Sequence, residues 1–334
     1  MAVLVTGAAG FIGSHTTARL LKRGDDVVGL DNFDPYYSPE RKRRNVDEAA
    51  REAVRPGQFE LIEGDIRDRE LLARLFQTRA IDRVVHLAAM AGVRASMDDP
   101  FLYYDVNLTG TLSLLEAVRQ RAAQTGEPAA NLVLASTSSA YGRTEVTPFV
   151  ETDAADRPLA PYAASKRAAE QLGFTYHHLH RLDFTALRFF TVYGPRGRPD
   201  MMAYKVLDSA YGGKEVPYYG GGEMYRDWTY VDDIVSGVVA AADRRLGYEI
   251  INLGRGEPVR LSDFVATLER LAGKKPRLVS MPMIDADVSA TCADIGKARR
   301  LLDYAPQVSV QAGVQRFFDW YVANALPAGP TDAA

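Results

Sequence analysis

Seven short runs rich in β-branched residues recur along the chain: "AVLVT" (2–6), "DVVGL" (26–30), "FELIEGD" (59–65), "DRVVHLAA" (82–89), "NLVLAS" (131–136), "TALRFF" (185–190) and "EIINLG" (249–254). Stretches of helical period separate them, at 12–23, 68–78, 101–123, 163–181 and 231–244. Such alternation leaves few folds open. Parallel neighbours need a crossover, crossovers are right-handed, and the crossover helices come to cover both faces of the sheet. The predicted fold class is therefore α/β, a doubly wound parallel sheet.

The alternation fails at 31–58, at 194–226 and at 254–316. The first is a long excursion containing "DPYYSPERKRR", whose basic run Arg41 to Arg44 reads as a solvated helix face. The other two are expected to build a smaller C-terminal lobe at the carboxyl ends of the strands, where open α/β sheets bind ligands. The formal charge of −3 offers no basic field for a nucleic acid, and no apolar run is long enough for a bilayer. Neither nucleic acid nor membrane is an expected partner. The chain opens directly into a strand, with no basic leader segment, so a cytoplasmic location is expected. Cys292, the single cysteine, reads as a small packed side chain. The five histidines are scattered, and His177, His178 and His180 lack a ligand spacing, so no metal is expected.

"TGAAGFIGSH" puts Gly7, Gly10 and Gly13 after the first strand and at the start of a helix. There they permit a tight turn and let backbone N–H groups approach a pyrophosphate, the Rossmann arrangement. Asp31 closes the second strand, where a carboxylate accepts hydrogen bonds from an adenosine ribose and repels a 2′-phosphate. The expected cofactor is NAD.

"PYAASK" stacks Tyr162 and Lys166 at i and i+4 on one helix face. A phenol titrates near about 10, and an ammonium close by favours the phenolate, which makes the pair a candidate general acid/base. The hydroxyl cluster "STSSAYG" (136–142) lies at a strand end, pointing toward the ligand crevice.

"TGAAGFIG", "GDI", "HLAA", "STSSAYG", "YAASK", "RFFTVYGP" and "RDWTYVDDIV", in this order, resemble the extended short-chain dehydrogenase/reductase family and, within it, the nucleotide-sugar 4-epimerases. The resemblance implies tightly held NAD and a 4-keto mechanism. In it Tyr162 takes the proton of the sugar 4-hydroxyl, Thr137 bonds the same oxygen, and Lys166 holds the nicotinamide ribose and lowers the pKa of Tyr162. It further implies that Phe11, Ile12 and Asn32 join the glycines and Asp31 around the cofactor. Asp65 and Ile66 would meet the adenine, Leu87, Ala88 and Ala89 would line the cofactor, and Asn107 would support the site. A homodimer is implied, built on helices 101–123 and 163–181.

Dehydrating and decarboxylating relatives carry acidic residues where this chain has Ser138 and Ser139, so plain epimerisation is favoured. Arg226 and Asp287 match positions that hold the diphosphate and uridine ribose of a UDP-sugar, although "IDAD" (284–287) departs from the usual Gln-Pro-Gly-Asp. "RFFTVYGPRGRPDM" is similar to the UDP-glucuronate 4-epimerases, in which the Thr at 191 and the later Arg recur. Ser138, Ser139 and Thr191 would supply hydroxyls to a hexuronate. Arg198 would engage its carboxylate or the neighbouring diphosphate, and Arg196 would face solvent or support the loop. Arg94 either touches the substrate or pairs with the Asp98–Asp99 turn. The expected division is a cofactor domain at 1–193 plus 227–253, a nucleotide-sugar lobe at 194–226 plus 254–321, and a disordered tail at 326–334.

Overall fold

A computed structural model describes residues 1–144 and 146–326. The first half of the chain runs β1 (Ala2–Thr6), α1 (Phe11–Arg23), β2 (Asp26–Asp31), α2 (Pro39–Ala50), β3 (Phe59–Glu63), α3 (Arg69–Thr78) and β4 (Ile81–His86). After it come α4 (Ala95–Asp98), α5 (Pro100–Tyr104), α6 (Gly110–Thr125), β5 (Asn131–Thr137), α7 (Pro161–His180), β6 (Phe184–Phe189) and β7 (Thr191–Tyr193). The remainder holds α8 (Met202–Gly212), β8 (Glu215–Tyr219), β9 (Tyr225–Arg226), β10 (Trp228–Tyr230), α9 (Val231–Ala242), β11 (Tyr248–Leu253), β12 (Val259–Arg260), α10 (Leu261–Ala272), β13 (Arg277–Met281), α11 (Gly296–Leu302) and α12 (Val310–Asn324).

The seven expected strands make one parallel sheet in the order β3-β2-β1-β4-β5-β6-β11. Side-chain alternation divides each strand between two cores. Val3, Val5 and Val133 face one, with Leu20 and Leu21 of α1 and Ile234 and Val238 of α9; Leu4, Leu132 and Leu134 face the other, with residues of α3, α6 and α7. All six strand residues are fully buried. That explains why their sequence reads as continuous apolar runs, each side chain contributing about 1.5–3 kcal/mol. The strand order reverses between β1 and β4, so the loops that follow these strands diverge and leave a crevice at their carboxyl ends. The segments after β7 pair with those after β11: β8 with β13 in parallel, and β9 with β12 antiparallel.

Several details differ from the sequence reading. The fourth run leaves the sheet after His86, because residues 87–89 must pass the glycine loop. The helix expected at 101–123 is three pieces, α5, a π-helical turn at Asp105–Thr109, and α6. At the junction of the π turn with α6 the packing is tight, since a Cβ on Gly110 would lie 2.5 Å from Ile66 Cδ1. Within the basic run, Arg43 and Arg44 are exposed but Lys42 is buried, and its Nζ donates to Asp34 O at 2.7 Å. Cys292 is buried and packed. At the start of the expected tail the Leu326 N–H donates to Tyr321 O. Residues 327–334 lie outside the described residues. No helix among the described residues is long and apolar enough to cross a membrane.

Candidate active site

The crevice begins at the turn between β1 and α1. Gly7 takes a φ of 70°, and a Cβ there would lie 2.7 Å from Ala88 N; at Gly13 it would lie 1.9 Å from Gly7 O. Backbone alone therefore fits, and the N-terminus of α1, with no acidic residue in its first turn, points its free N–H groups into the opening. Gly10, Phe11 and Ile12 complete this wall, and Leu87, Ala88 and Ala89 line the other side of the turn. At the far end Asp31 is fixed by two backbone donors, Ala9 N–H to Oδ2 and Phe33 N–H to Oδ1, both at 2.9 Å. Burial pushes its carboxyl above the usual range, opposed by the Phe33 N–H and by the charge of Lys42. Asn32 and Ile66 lie beside it, and Asn32 Nδ2 donates to Asp65 Oδ2 at 2.9 Å. Arg67 holds the Asp65 carboxyl down at about 2. A clash-free glycine cradle, a helix N-terminus and an anchored carboxylate are what a dinucleotide with a free 2′-hydroxyl requires, so the residues present fit NAD.

At the other end Thr137, Tyr162 and Lys166 converge on the same crevice. Proline at the first position of α7 starts that helix at Pro161, so Tyr162 sits in its first turn and Lys166 one turn deeper. Burial pulls the Lys166 ammonium down to about 8, against the opposing charge of Glu170. Burial also pushes the Tyr162 phenol upward, and the influences that restrain it are the Thr137 hydroxyl and then the charge of Arg198. The sequence reading gave that role to Lys166; in the fold, the charge acting on Lys166 is Glu170, and Arg198 supplies the charge acting on Tyr162. Thr137 Oγ1 accepts the Ser139 N–H at 3.1 Å, which leaves the threonine's own proton free to donate. Ser138 and Ser139 form the turn after Thr137 and are not among the crevice walls.

Asn107 also stands back from the wall. It is fully buried in the π turn, where Oδ1 accepts Met90 N–H at 2.9 Å and Nδ2 donates to Met90 O and Ser165 Oγ at 3.0 Å. Ser165 Oγ in turn donates to Tyr162 O at 2.8 Å. Asn107 is thus a brace between the Met90 loop and the start of α7, with no direct face toward the cofactor.

Thr191 and Arg198 line the same crevice as Tyr162. Arg198 makes two bonds to Asp200, Nε to Oδ1 at 2.9 Å and Nη2 to Oδ2 at 3.2 Å, and Tyr36 OH donates to the same Oδ2 at 3.2 Å. Arg196 turns away from solvent and donates to His15 Nδ1 at 3.0 Å, so of its two expected roles the loop support holds. Arg94 pairs with neither Asp98 nor Asp99: its Nη2 donates to Asp287 Oδ2 at 2.7 Å, and its guanidinium lies 3.7 Å from the centre of the Tyr219 ring. Burial lowers the Arg226 pKa, with Asp287 opposing and Arg94 reinforcing, which puts the three residues in one charged cluster outside the crevice wall. Sequence reasoning missed Tyr36, Tyr37 and Lys42, which the 31–58 excursion folds into the wall. The irregular "DPYYSPERK" was the available signal. His177 Nδ1 lies 3.0 Å from Leu182 O, an ordinary helix-end contact.

These features define a dinucleotide-dependent enzyme with a Tyr–Lys acid/base pair, and the chain belongs to the family described as GDP-mannose 4,6 dehydratase, whose model matches residues 4–317. The UDP-glucuronate 4-epimerase of Thermodesulfobacterium geofontis (strain OPF15) is 43% identical over 322 residues, 96% of this chain and 96% of that protein. The crystal structure of UDP-glucuronic acid 4-epimerase from Bacillus cereus in complex with UDP-glucuronic acid and NAD is similar at a TM-score of 0.86 and 35% identity, covering 97% of this chain and 99% of that one. A dTDP-glucose 4,6-dehydratase from Streptomyces venezuelae reaches the same TM-score, 0.86, at 30% identity, covering 97% of this chain and 98% of that one. The backbone is shared across different reactions, so the side chains must decide between them.

Proposed function

We propose that this chain is a UDP-glucuronate 4-epimerase that interconverts UDP-glucuronate and UDP-galacturonate. The observation that carries the reading is the convergence of Thr137, Tyr162 and Lys166 on a crevice that Thr191 and Arg198 also line. Serines at 138 and 139 supply no acid or base for dehydration, despite the family's description. NAD, when bound, accepts the hydride of sugar C4 and returns it. Asp31 selects it over a 2′-phosphorylated form. Tyr162 takes the proton of the 4-hydroxyl and gives it back, while Thr137 donates to the same oxygen as charge develops there. Lys166 keeps a positive charge at the nicotinamide ribose.

Oxidation at C4 of a glucuronate creates a β-keto acid, which loses carbon dioxide when its carboxylate stands perpendicular to the ketone. Thr191 and Arg198, both on the crevice wall, restrain that carboxylate. Arg198 enters the task already held by Asp200, so its direction is set before substrate arrives. Arg226, Asp287 and Arg94 hold the diphosphate and uridine ribose, in a lobe built from 194–226 and 254–321 beside a cofactor domain of 1–193 and 227–253. The chain works as a cytoplasmic homodimer joined through the helical layer of α5, α6 and α7, where Phe101 and Phe174 leave aromatic surface exposed. Incubating the purified protein separately with UDP-glucuronate and UDP-glucose, then resolving the epimers, tests the assignment. Turnover of UDP-glucose at a comparable rate would replace it with a UDP-glucose 4-epimerase.

A further inference from the structure

One turn beyond Lys166, on the same face of α7, Glu170 is fully buried. Its carboxylate accepts from Ser136 Oγ at 2.5 Å, from Arg188 Nε at 2.9 Å and Nη2 at 2.8 Å, and from Arg167 Nη1 at 3.1 Å. Ser136 and Arg188 are register partners on β5 and β6. Ser136 directly precedes Thr137, and Arg188 lies on the strand that leads into Thr191. Arg188 is itself fully buried, its guanidinium 4.4 Å from the centre of the Tyr141 ring. A buried ion pair of this kind roughly breaks even in stability against apolar packing, so its value must be sought elsewhere.

We propose that Glu170 is a positioning residue: one buried carboxylate clamps the helix carrying Tyr162 and Lys166 to the strands carrying Thr137 and Thr191, and serves as the counter-charge of the Lys166 ammonium. The groups around Lys166 fit this. On α7 it has Tyr162, Glu170 and the half-buried Arg167, which is already bonded to Glu170. From β4 comes His86, held neutral by burial with a pKa of about 3 and placed between Thr6 Oγ1 and Thr111 Oγ1 at 2.7 and 3.0 Å. The ends of β5 and β6 bring Ser136, Thr137 and Arg188. Among these, Glu170 is the anion, and its charge is the one that opposes the desolvation of Lys166. Without it the ammonium would lose its proton at lower pH, and with it the charge that holds the nicotinamide ribose.

The inference rests on the epimerase reading, and Glu170→Gln tests it in the full-length NAD-loaded protein. The wild-type pH profile of kcat should show an alkaline limb near about 8. In the variant that limb moves to lower pH by about one unit, the usual effect of removing an opposite charge at this range. Between pH 7 and pH 8 the variant then loses roughly fivefold, against about twofold for the wild type, beyond any uniform drop. A merely structural role lowers the whole profile and leaves the limb in place, and that result overturns the proposal. If Glu170→Gln does not fold because Arg188 is left unpaired, the double variant Glu170→Gln/Arg188→Met decides, with the same displaced limb expected. A wild-type protein inert toward UDP-glucuronate would sink the epimerase reading; an immobile limb in an active enzyme sinks the role of Glu170 alone.

Discussion

Thr137→Val is the most direct probe of the reacting oxygen. The substitution keeps the shape of the side chain and removes its hydroxyl, which accepts Ser139 N–H at 3.1 Å and whose proton is free to donate. Two losses follow. The donor to the developing alkoxide disappears, and a hydrogen bond to a charged oxygen contributes about 1.5–3 kcal/mol, so kcat should fall about 10- to 150-fold. The Tyr162 phenol also loses the larger of the two influences that restrain its upward shift, which adds to the fall at neutral pH. KM should change less, because the bond strengthens as negative charge builds on the sugar oxygen. Ser139 N–H belongs to a half-buried turn that water can reach, so the thermal midpoint should move by only a few degrees. Initial rates of epimer formation at saturating UDP-glucuronate measure the effect, with Thr137→Ser as the variant that retains the hydroxyl. A kcat for Thr137→Val within threefold of wild type, with Thr137→Ser equally active, would refute the assigned role of the hydroxyl.

Further outcomes follow from the same geometry. Gly13→Ala forces a methyl to within 1.9 Å of Gly7 O, so the variant should release NAD on desalting while wild type retains it, read by the absorbance and enzymatic assay of bound nucleotide. Arg198→Ala should release a 4-keto-pentose product and carbon dioxide alongside the epimer; an unchanged product distribution removes the restraining role of Arg198. Asn107→Ala should lower kcat severalfold with little effect on NAD retention, since Asn107 braces Met90 and Ser165 but is not itself on the cofactor wall. Asp65 has a folded pKa of about 2, below its unfolded value of about 3.9, so its stabilising contribution is complete above the unfolded value and is lost as pH falls through the folded one. Acid unfolding of Asp65→Asn should therefore lack part of the wild-type slope in that window.

The central sheet was legible because each of its strands is covered on both faces, and burial on both faces writes an uninterrupted β-branched run into the sequence. The glycine turn, Asp31 and the Tyr162–Lys166 spacing were legible because each is a local pattern with one geometric use. What escaped the sequence was contact across long separations. Nothing near Arg94 points to Asp287, 193 residues away, and the nearby Asp98 and Asp99 offered a closer partner. Tyr36 and Lys42 sit in a segment without period, so their inward turn depends on where the 31–58 excursion comes back against the sheet. The break in the 101–123 helix was hidden for another reason: a π turn needs no proline or glycine inside it, and its residues "DVNLT" are compatible with an ordinary helix.

That π turn bears on what the chain can tolerate in length. One residue more than a regular helix would need is spent between Tyr104 and Gly110. Deleting one residue there would take out the extra residue and leave α5 and α6 close to their present registers, whereas inserting one between Asn107 and Gly110 would rotate everything upstream by about 100° relative to α6. Asn107 would swing out of reach of Met90, and an apolar neighbour would take its place. An insertion in this stretch should therefore be as damaging as a substitution in the active site, even though no side chain that meets the substrate is altered.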